Sequence, residues 1–140
     1  MRHLEQAPRS TRQVAQRLRS RGVPPHVADE VLAWLTDLGY LDDAAFADML
    51  VRSRTATKML GRRALLAELA AKGIGPELRV AAIAQVSHDD ELTMARALVA
   101  KRAPSLAALE PVVAKRRLAG LLARKGYASA TIAVVLADLH

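Results

Sequence analysis

Residues 38–74 read LGYLDDAAFADMLVRSRTATKMLGRRALLAELAAKGI, and this stretch decides the fold. A Gly39-Tyr40 turn precedes Asp42, whose carboxylate is placed to accept from the free backbone N–H groups that open a helix. Leu41 before the cap and Phe46 four residues after it suit a hydrophobic staple, which sets the chain's entry angle. Asp43 adds negative charge at the positive end of the helix dipole. Phe46, Met49 and Leu50 then recur at i, i+3 and i+4, one apolar face of a helix. From Arg52 to Arg63 there are five bases, Arg52, Arg54, Lys58, Arg62 and Arg63, and no acid. Leu65, Leu66 and Leu69 give a second helix its buried face, and Lys72-Gly73 ends it. The stretch predicts a capped helix, a basic connector and a second helix with a glycine stop.

Outward from Gly73, the pattern recurs. Gly22 lies 51 residues before it and Gly126 lies 53 after it. Ten residues before these glycines stand Arg12, Arg63 and Arg116; eight before, Val14, Leu65 and Leu118; four before, Leu18, Leu69 and Leu122. Arg21, Lys72 and Lys125 come immediately before, and Val23, Ile74 and Tyr127 immediately after. So many matches in register predict an internal repeat of about 50 residues. Each repeat opens with a basic helix, over about 10–21, 61–72 and 112–125, and continues with a second, over about 25–38, 76–86 and 129–139. A third helix follows in the first two repeats, over about 42–55 and 90–102, because FADMLVRSR (46–54) and MARALVAKR (94–102) are versions of one element. Linkers are expected at Thr55–Leu60 and Ala103–Pro111, the latter from Pro104, Ser105 and Pro111. The repeats divide the chain into 1–57, 58–103 and 104–140, the last without a third helix. The expected fold is all-α: tandem three-helix repeats forming an elongated, curved helical array, since each unit is too small to bury much alone.

Composition narrows the function. Of 140 residues, 51% are hydrophobic and four are aromatic, so aliphatic side chains and Ala must fill the core. That favours closely spaced helices over a sandwich or barrel. The formal charge is +7, and 16 of the 21 bases are Arg, whose planar fork matches phosphate or carboxylate. A polyanion or an acidic protein surface is the partner this suggests, although a GC-rich genome would also favour Arg and Ala. There is no Cys, which removes thiol catalysis, disulfides and Cys-based zinc sites. No apolar run approaches a membrane-spanning length, so a soluble, cytoplasmic monomer is expected, with no membrane partner.

The charge is partitioned. Residues 9–21 carry Arg9, Arg12, Arg17, Arg19 and Arg21 with no acid, and 111–137 carry Lys115, Arg116, Arg117, Arg124 and Lys125 with none. Helical spacing places Arg12, Arg63 and Arg116 opposite the apolar pair of each basic helix, facing solvent or a partner. The candidate binding residues are therefore Arg12, Arg17, Arg19, Arg21, Arg52, Arg54, Lys58, Arg62, Arg63, Lys115, Arg116, Arg117, Arg124 and Lys125. A solvated face kept for solubility is the competing reading of any single one of them.

No catalytic, cofactor or metal site can be assembled. Asp42 and Asp43 are adjacent, so they point about 100° apart on a helix, and capping explains them better than chemistry. His3, His26, His88 and His140 lack ligand spacing and read as surface residues. Asp89-Asp90-Glu91 reads as the acidic first turn of a helix after Ser87. Trp34, among Val31, Leu32, Leu35 and Leu38, is expected in the core, and Tyr40 and Tyr127 are expected to pack at the turns. The sequence predicts a binding protein and no enzyme.

GYLDDAAFA (39–47), a basic segment and GRRALLAELAAKGI (61–74) together resemble the RecX family. The resemblance rests on Gly39, Tyr40, Leu41, Asp42, Asp43, Phe46 and Ala47, then on Gly61, Arg62, Glu68, Leu69, Lys72, Gly73 and Ile74. PRSTRQVAQRLRSRGV (8–23) is similar to the family's opening helix and LLARKGYASATI (121–132) to its closing segment. Departures are Arg62, where Pro is frequent, and Lys125 and Tyr127 in place of Arg and Phe; residues 85–112 are poorly matched. The resemblance implies a non-enzymatic regulator without a cofactor. It would bind the RecA–single-stranded DNA filament and inhibit recombinase, ATPase and coprotease activities, the basic residues contacting either RecA or the DNA phosphates. A direct DNA-binding protein with helix-turn-helix-like basic helices is the alternative.

Overall fold

A computed structural model describes residues 9–39 and 41–139; Tyr40, His3 and His140 lie outside the described residues. Eight helices run in order among the described residues: α1 (Thr11–Ser20), α2 (Pro25–Asp37), α3 (Asp43–Lys58), α4 (Arg62–Ala71), α5 (Pro76–Ile83), α6 (His88–Leu106), α7 (Pro111–Arg124) and α8 (Ser129–Ala137). Among the described residues there is no strand, only an isolated bridge between Arg9 and Leu41. The all-α expectation and the helix order hold.

Local chemistry places the ends. Ser10 and Gln13 form a capping box on α1, each side chain bonding the other's backbone N–H at 3.1 Å. Ser87 and Asp90 do the same on α6, both at 3.0 Å. Asp42 caps α3 by accepting from the Ala45 N–H at 3.0 Å, and the staple residues Leu41 and Phe46 are both buried. The three aligned glycines all have positive φ, and in each case the next residue's N–H reaches back to a carbonyl of the helix. Val23 bonds Leu18, Ile74 bonds Leu69 and Tyr127 bonds Leu122, at 3.0–3.1 Å. One stop is built three times.

Two expected linkers are shorter than their composition suggests. α3 continues to Lys58, so the connector is only Met59, Leu60 and Gly61. Met59 there takes a left-handed φ of 52°. α6 runs through Pro104 to Leu106, since a proline in a final turn removes one N–H without breaking the turns before it.

The chain forms two compact units. The first takes residues up to 52 together with 68–82; its buried side chains include Leu41, Phe46, Leu50, Val51, Leu69 and Ile74. Within it α2 buries no residue fully, and Trp34 is 60% exposed. This corrects the expectation of a core Trp34: α2 keeps Val31, Leu32 and Leu35 half-buried and turns Trp34 and Leu38 outward. The second unit takes 53–67 together with 83 onward. Its core is Ala95, Leu98 and Val99 of α6, Leu118 and Leu122 of α7, Tyr127, and Val135 of α8.

Candidate nucleic-acid and protein interface

α6 and α7 pack through Leu98, Val99, Leu118 and Leu122, which leaves an open groove of about 590 Å³ along their outer side. Arg102 and Ser105 of α6 and Arg116, Arg117 and Arg124 of α7 line it over a floor that includes Leu106, Leu118 and Leu121. No acid lines the groove, and none of the four guanidinium groups has a hydrogen-bond or ion-pair partner among the described residues. Arg96, on the same helix as Arg102, is by contrast paired with Asp138 at 3.3 Å. Arg124 folds back over Gly120, where a Cβ would stand 3.2 Å from its guanidinium. Arg124 also lines a neighbouring recess of about 420 Å³ with Arg63, Gly126 and Ser129. Three residues of charge chosen from the sequence thus converge here with a fourth, Arg102, that was not chosen. Its one signal was its place at the end of MARALVAKR, opposite Arg54 in FADMLVRSR.

The remaining candidates divide between surface and scaffold. Arg12, Arg17, Arg19, Arg21, Arg52, Arg63, Lys58 and Lys115 are exposed, and Arg54 is half-buried. Arg12 lies over Gly73 and reaches the Ala71 carbonyl at 3.5 Å. Lys125 donates to the Lys58 carbonyl at 3.0 Å. Arg62 is half-buried, and its guanidinium donates to the carbonyls of Ile83, at 3.4 Å, and Val86. Its charge therefore serves the C-terminal end of α5, where the helix dipole is negative.

A carboxylate that the sequence places in the acidic first turn of a helix stands there and is also buried. Glu91, 1% exposed, accepts from the Arg62 backbone N–H at 2.8 Å and from the Thr131 hydroxyl at 3.0 Å. Asp43 has the matching role in the first unit, accepting from the Thr11 N–H at 2.8 Å. The signal was present: Asp43 and Glu91 stand at the same place in the two aligned long helices. Near Glu91, the buried Tyr127 hydroxyl donates to the Met59 carbonyl at 2.6 Å. Burial, and then the negative charge of Glu91, push the Tyr127 phenol from 10.0 up to about 12.

His26 and His88 are exposed, and among the described residues no cluster of His, Cys, Asp or Glu could hold a metal ion. Among the same residues no helix is long and apolar enough to cross a membrane.

This architecture defines an all-α protein of tandem three-helix domains. Three family models match it: RecX, first three-helix domain, over residues 1–35; RecX, second three-helix domain, over 42–83; and RecX, third three-helix domain, over 89–136. The chain is 42% identical over 127 residues to Regulatory protein RecX of Streptomyces coelicolor, covering 91% of this chain and 68% of that one. It is 38% identical over 133 residues to Regulatory protein RecX of Mycobacterium leprae, covering 94% and 78%. In structure it is similar to crystalline RecX from Lactobacillus salivarius, with a TM-score of 0.87 at 21% identity over 99% of this chain and 90% of that one. The chain belongs to the RecX family.

Proposed function

We propose that this protein binds the RecA–single-stranded DNA filament in the cytoplasm and inhibits its recombinase, ATPase and coprotease activities, modulating DNA repair and the SOS response. The observation that carries the reading is the acid-free groove of Arg102, Arg116, Arg117 and Arg124, with no partner for any of the four guanidinium groups among the described residues. Four planar forks left unpaired at one place match the geometry of successive phosphates or of an acidic protein rim. Membership of a family whose curated relatives are named regulatory proteins supports the same reading. Arg12, Arg17 and Arg63 extend the contact to the other basic helices. Several modest contacts on one chain then act together, because each one that forms raises the local concentration of the next. Nothing in this action requires chemistry by the protein itself.

The test is DNA-dependent ATP hydrolysis by preformed RecA filaments titrated with this protein. Loss of hydrolysis at well below one molecule per RecA is the expected result, and no loss at any ratio overturns the reading. The groove also suits a second reading, direct competition for DNA. In that case hydrolysis falls only when the protein rivals the DNA sites. Binding to naked DNA through about six phosphates would also weaken roughly a thousandfold between 50 and 200 mM salt.

A further inference from the structure

Trp34, the chain's single tryptophan, is 60% exposed on α2, and Leu38, one turn later, is 52% exposed. At 100° per residue, Glu30 and Leu38 lie about 40° to either side of Trp34, and Asp37 about 60° away, so all four share one face. Glu30 and Asp37 are exposed and have no hydrogen-bond or ion-pair partner among the described residues. Asp29, about 140° round the helix from Trp34, instead lines a small cavity with Arg19 of α1. The bases of α1 therefore do not neutralise the Trp34 face at that contact.

The surrounding sequence sharpens the contrast. Residues 22–51 carry Asp29, Glu30, Asp37, Asp42, Asp43 and Asp48 and not one Lys or Arg, within a chain of net charge +7. A phosphate backbone is repelled from such a face, since nucleic-acid affinity comes mainly from neutralising phosphates with bases. A protein is not repelled. Tryptophan is the side chain most enriched among residues that dominate protein–protein binding energy, and rim charges steer and orient the approach.

We infer that the Trp34–Leu38 face of α2, flanked by Glu30 and Asp37, is a protein-docking surface for an apolar pocket rimmed by Lys or Arg on a partner protein. The identification of that partner as RecA within the filament rests on the function proposed above. The molecule then divides its contacts by chemistry: α2 takes protein, and the arginine groove between α6 and α7 takes phosphate.

The experiment compares wild type, Trp34→Ala and Glu30→Lys/Asp37→Lys, each first checked for an unchanged thermal melt. Anisotropy of labelled oligo(dT) is read with and without RecA and a non-hydrolysable ATP analogue. Trp34→Ala is expected to weaken filament binding about tenfold or more, as truncation of a central aromatic anchor does. The charge reversal weakens it in a salt-dependent way. Binding of Trp34→Ala to oligo(dT) without RecA stays at the wild-type value, and that of the charge reversal does not weaken. Unchanged filament binding by Trp34→Ala overturns the inference. So does quenching of Trp34 fluorescence by oligo(dT) alone, which assigns the face to base stacking. A wild type that sediments as a dimer beside a monomeric Trp34→Ala also overturns it, because a second copy then covers the face. A wild type that ignores filaments altogether removes the proposed function and this partner with it.

Discussion

The same helix-to-glycine junction is built once in each compact unit, from different bonds. In the first, the Ser10 hydroxyl donates to the Lys72 carbonyl at 3.4 Å and the Arg12 guanidinium to Ala71 at 3.5 Å. In the second, the aligned Gly61 and Arg63 donate with their backbone N–H groups, to Lys125 at 2.8 Å and Gly126 at 3.1 Å. Asp43 closes the first from a half-buried position, while Glu91 closes the second from full burial and takes Thr131 as well. The apolar pair of the incoming helix follows suit: Val14 and Leu18 are half-buried, whereas their counterparts Leu65 and Leu69 are buried. Short main-chain bonds around a buried carboxylate carry no side-chain entropy cost for the donors, whereas long side-chain bonds at an exposed edge do. The first junction should open more readily than the second, and hydrogen exchange at Thr11 and Arg62 measures the difference directly.

The largest effect separates the two glycines. At Gly126, φ is +92° and an added Cβ would strike the backbone nitrogen and Cα of Ala64. At Gly73, φ is +85° and the obstacle is the Arg12 side chain, whose outer carbons can turn aside while its Cβ, fixed to α1, cannot. Both alanines carry the left-handed backbone cost and a clash, but only Gly126→Ala strikes main-chain atoms. Gly126→Ala is expected to lose about 3–5 kcal/mol in urea unfolding and Gly73→Ala about 2–3 kcal/mol. Equal losses would mean that the two junctions are packed alike.

The carboxylates come next. Glu91→Ala strands the Arg62 N–H and the Thr131 hydroxyl in a buried site, a loss of about 2–4 kcal/mol. Asp43→Ala removes the bonds from the Thr11 N–H and, at 3.3 Å, from its hydroxyl at a half-buried helix start, about 1 kcal/mol, as for other lost N-terminal caps. Chemical denaturation of both variants checks the ratio. A larger loss at Asp43 would reverse the ranking of the junctions.

What could be read in the sequence is what local chemistry dictates. The caps at Ser10, Asp42 and Ser87 and the stops at Gly22, Gly73 and Gly126 depend on residues within one turn, and the helices follow from them. The roles of Asp43 and Glu91 depend on N–H groups 32 and 29 residues away, which no local pattern specifies. Glu91 beside Asp89 and Asp90 looks like one more first-turn acid until α4 is brought against it. Trp34 failed for a related reason: helical spacing defines a face but does not say whether anything covers it. Repeat length is local too, while the starting point is not. Cutting at the basic helix divides the chain at 57 and 103, whereas the family models take 42–83 and 89–136. The same described helices serve both divisions. In the arginine groove, Arg116, Arg117 and Arg124 stood out by charge, and Arg102 did not because it arrives from a different helix.

The smallest effect is specific to one junction by chemistry. Tyr127 follows its glycine where the first unit has Ile74, so only the second junction carries an ionisable group at that position. With the folded phenol pushed up to about 12 and an unfolded value of 10.0, the neutral form is favoured in the folded state. Its contribution is fully present below pH 10 and is lost as pH rises toward 12, when the unfolded chain ionises first. The loss should reach about 2 kcal/mol by pH 12. Tyr127→Phe should be less stable at neutral pH by about 1 kcal/mol, for the missing bond to the Met59 carbonyl, but should lack the alkaline decline specific to this group. The two stability curves, measured by urea unfolding from pH 8 to 12, should therefore converge and then cross before pH 12. Parallel curves would mean that the phenol is solvated and that the second junction is no drier than the first.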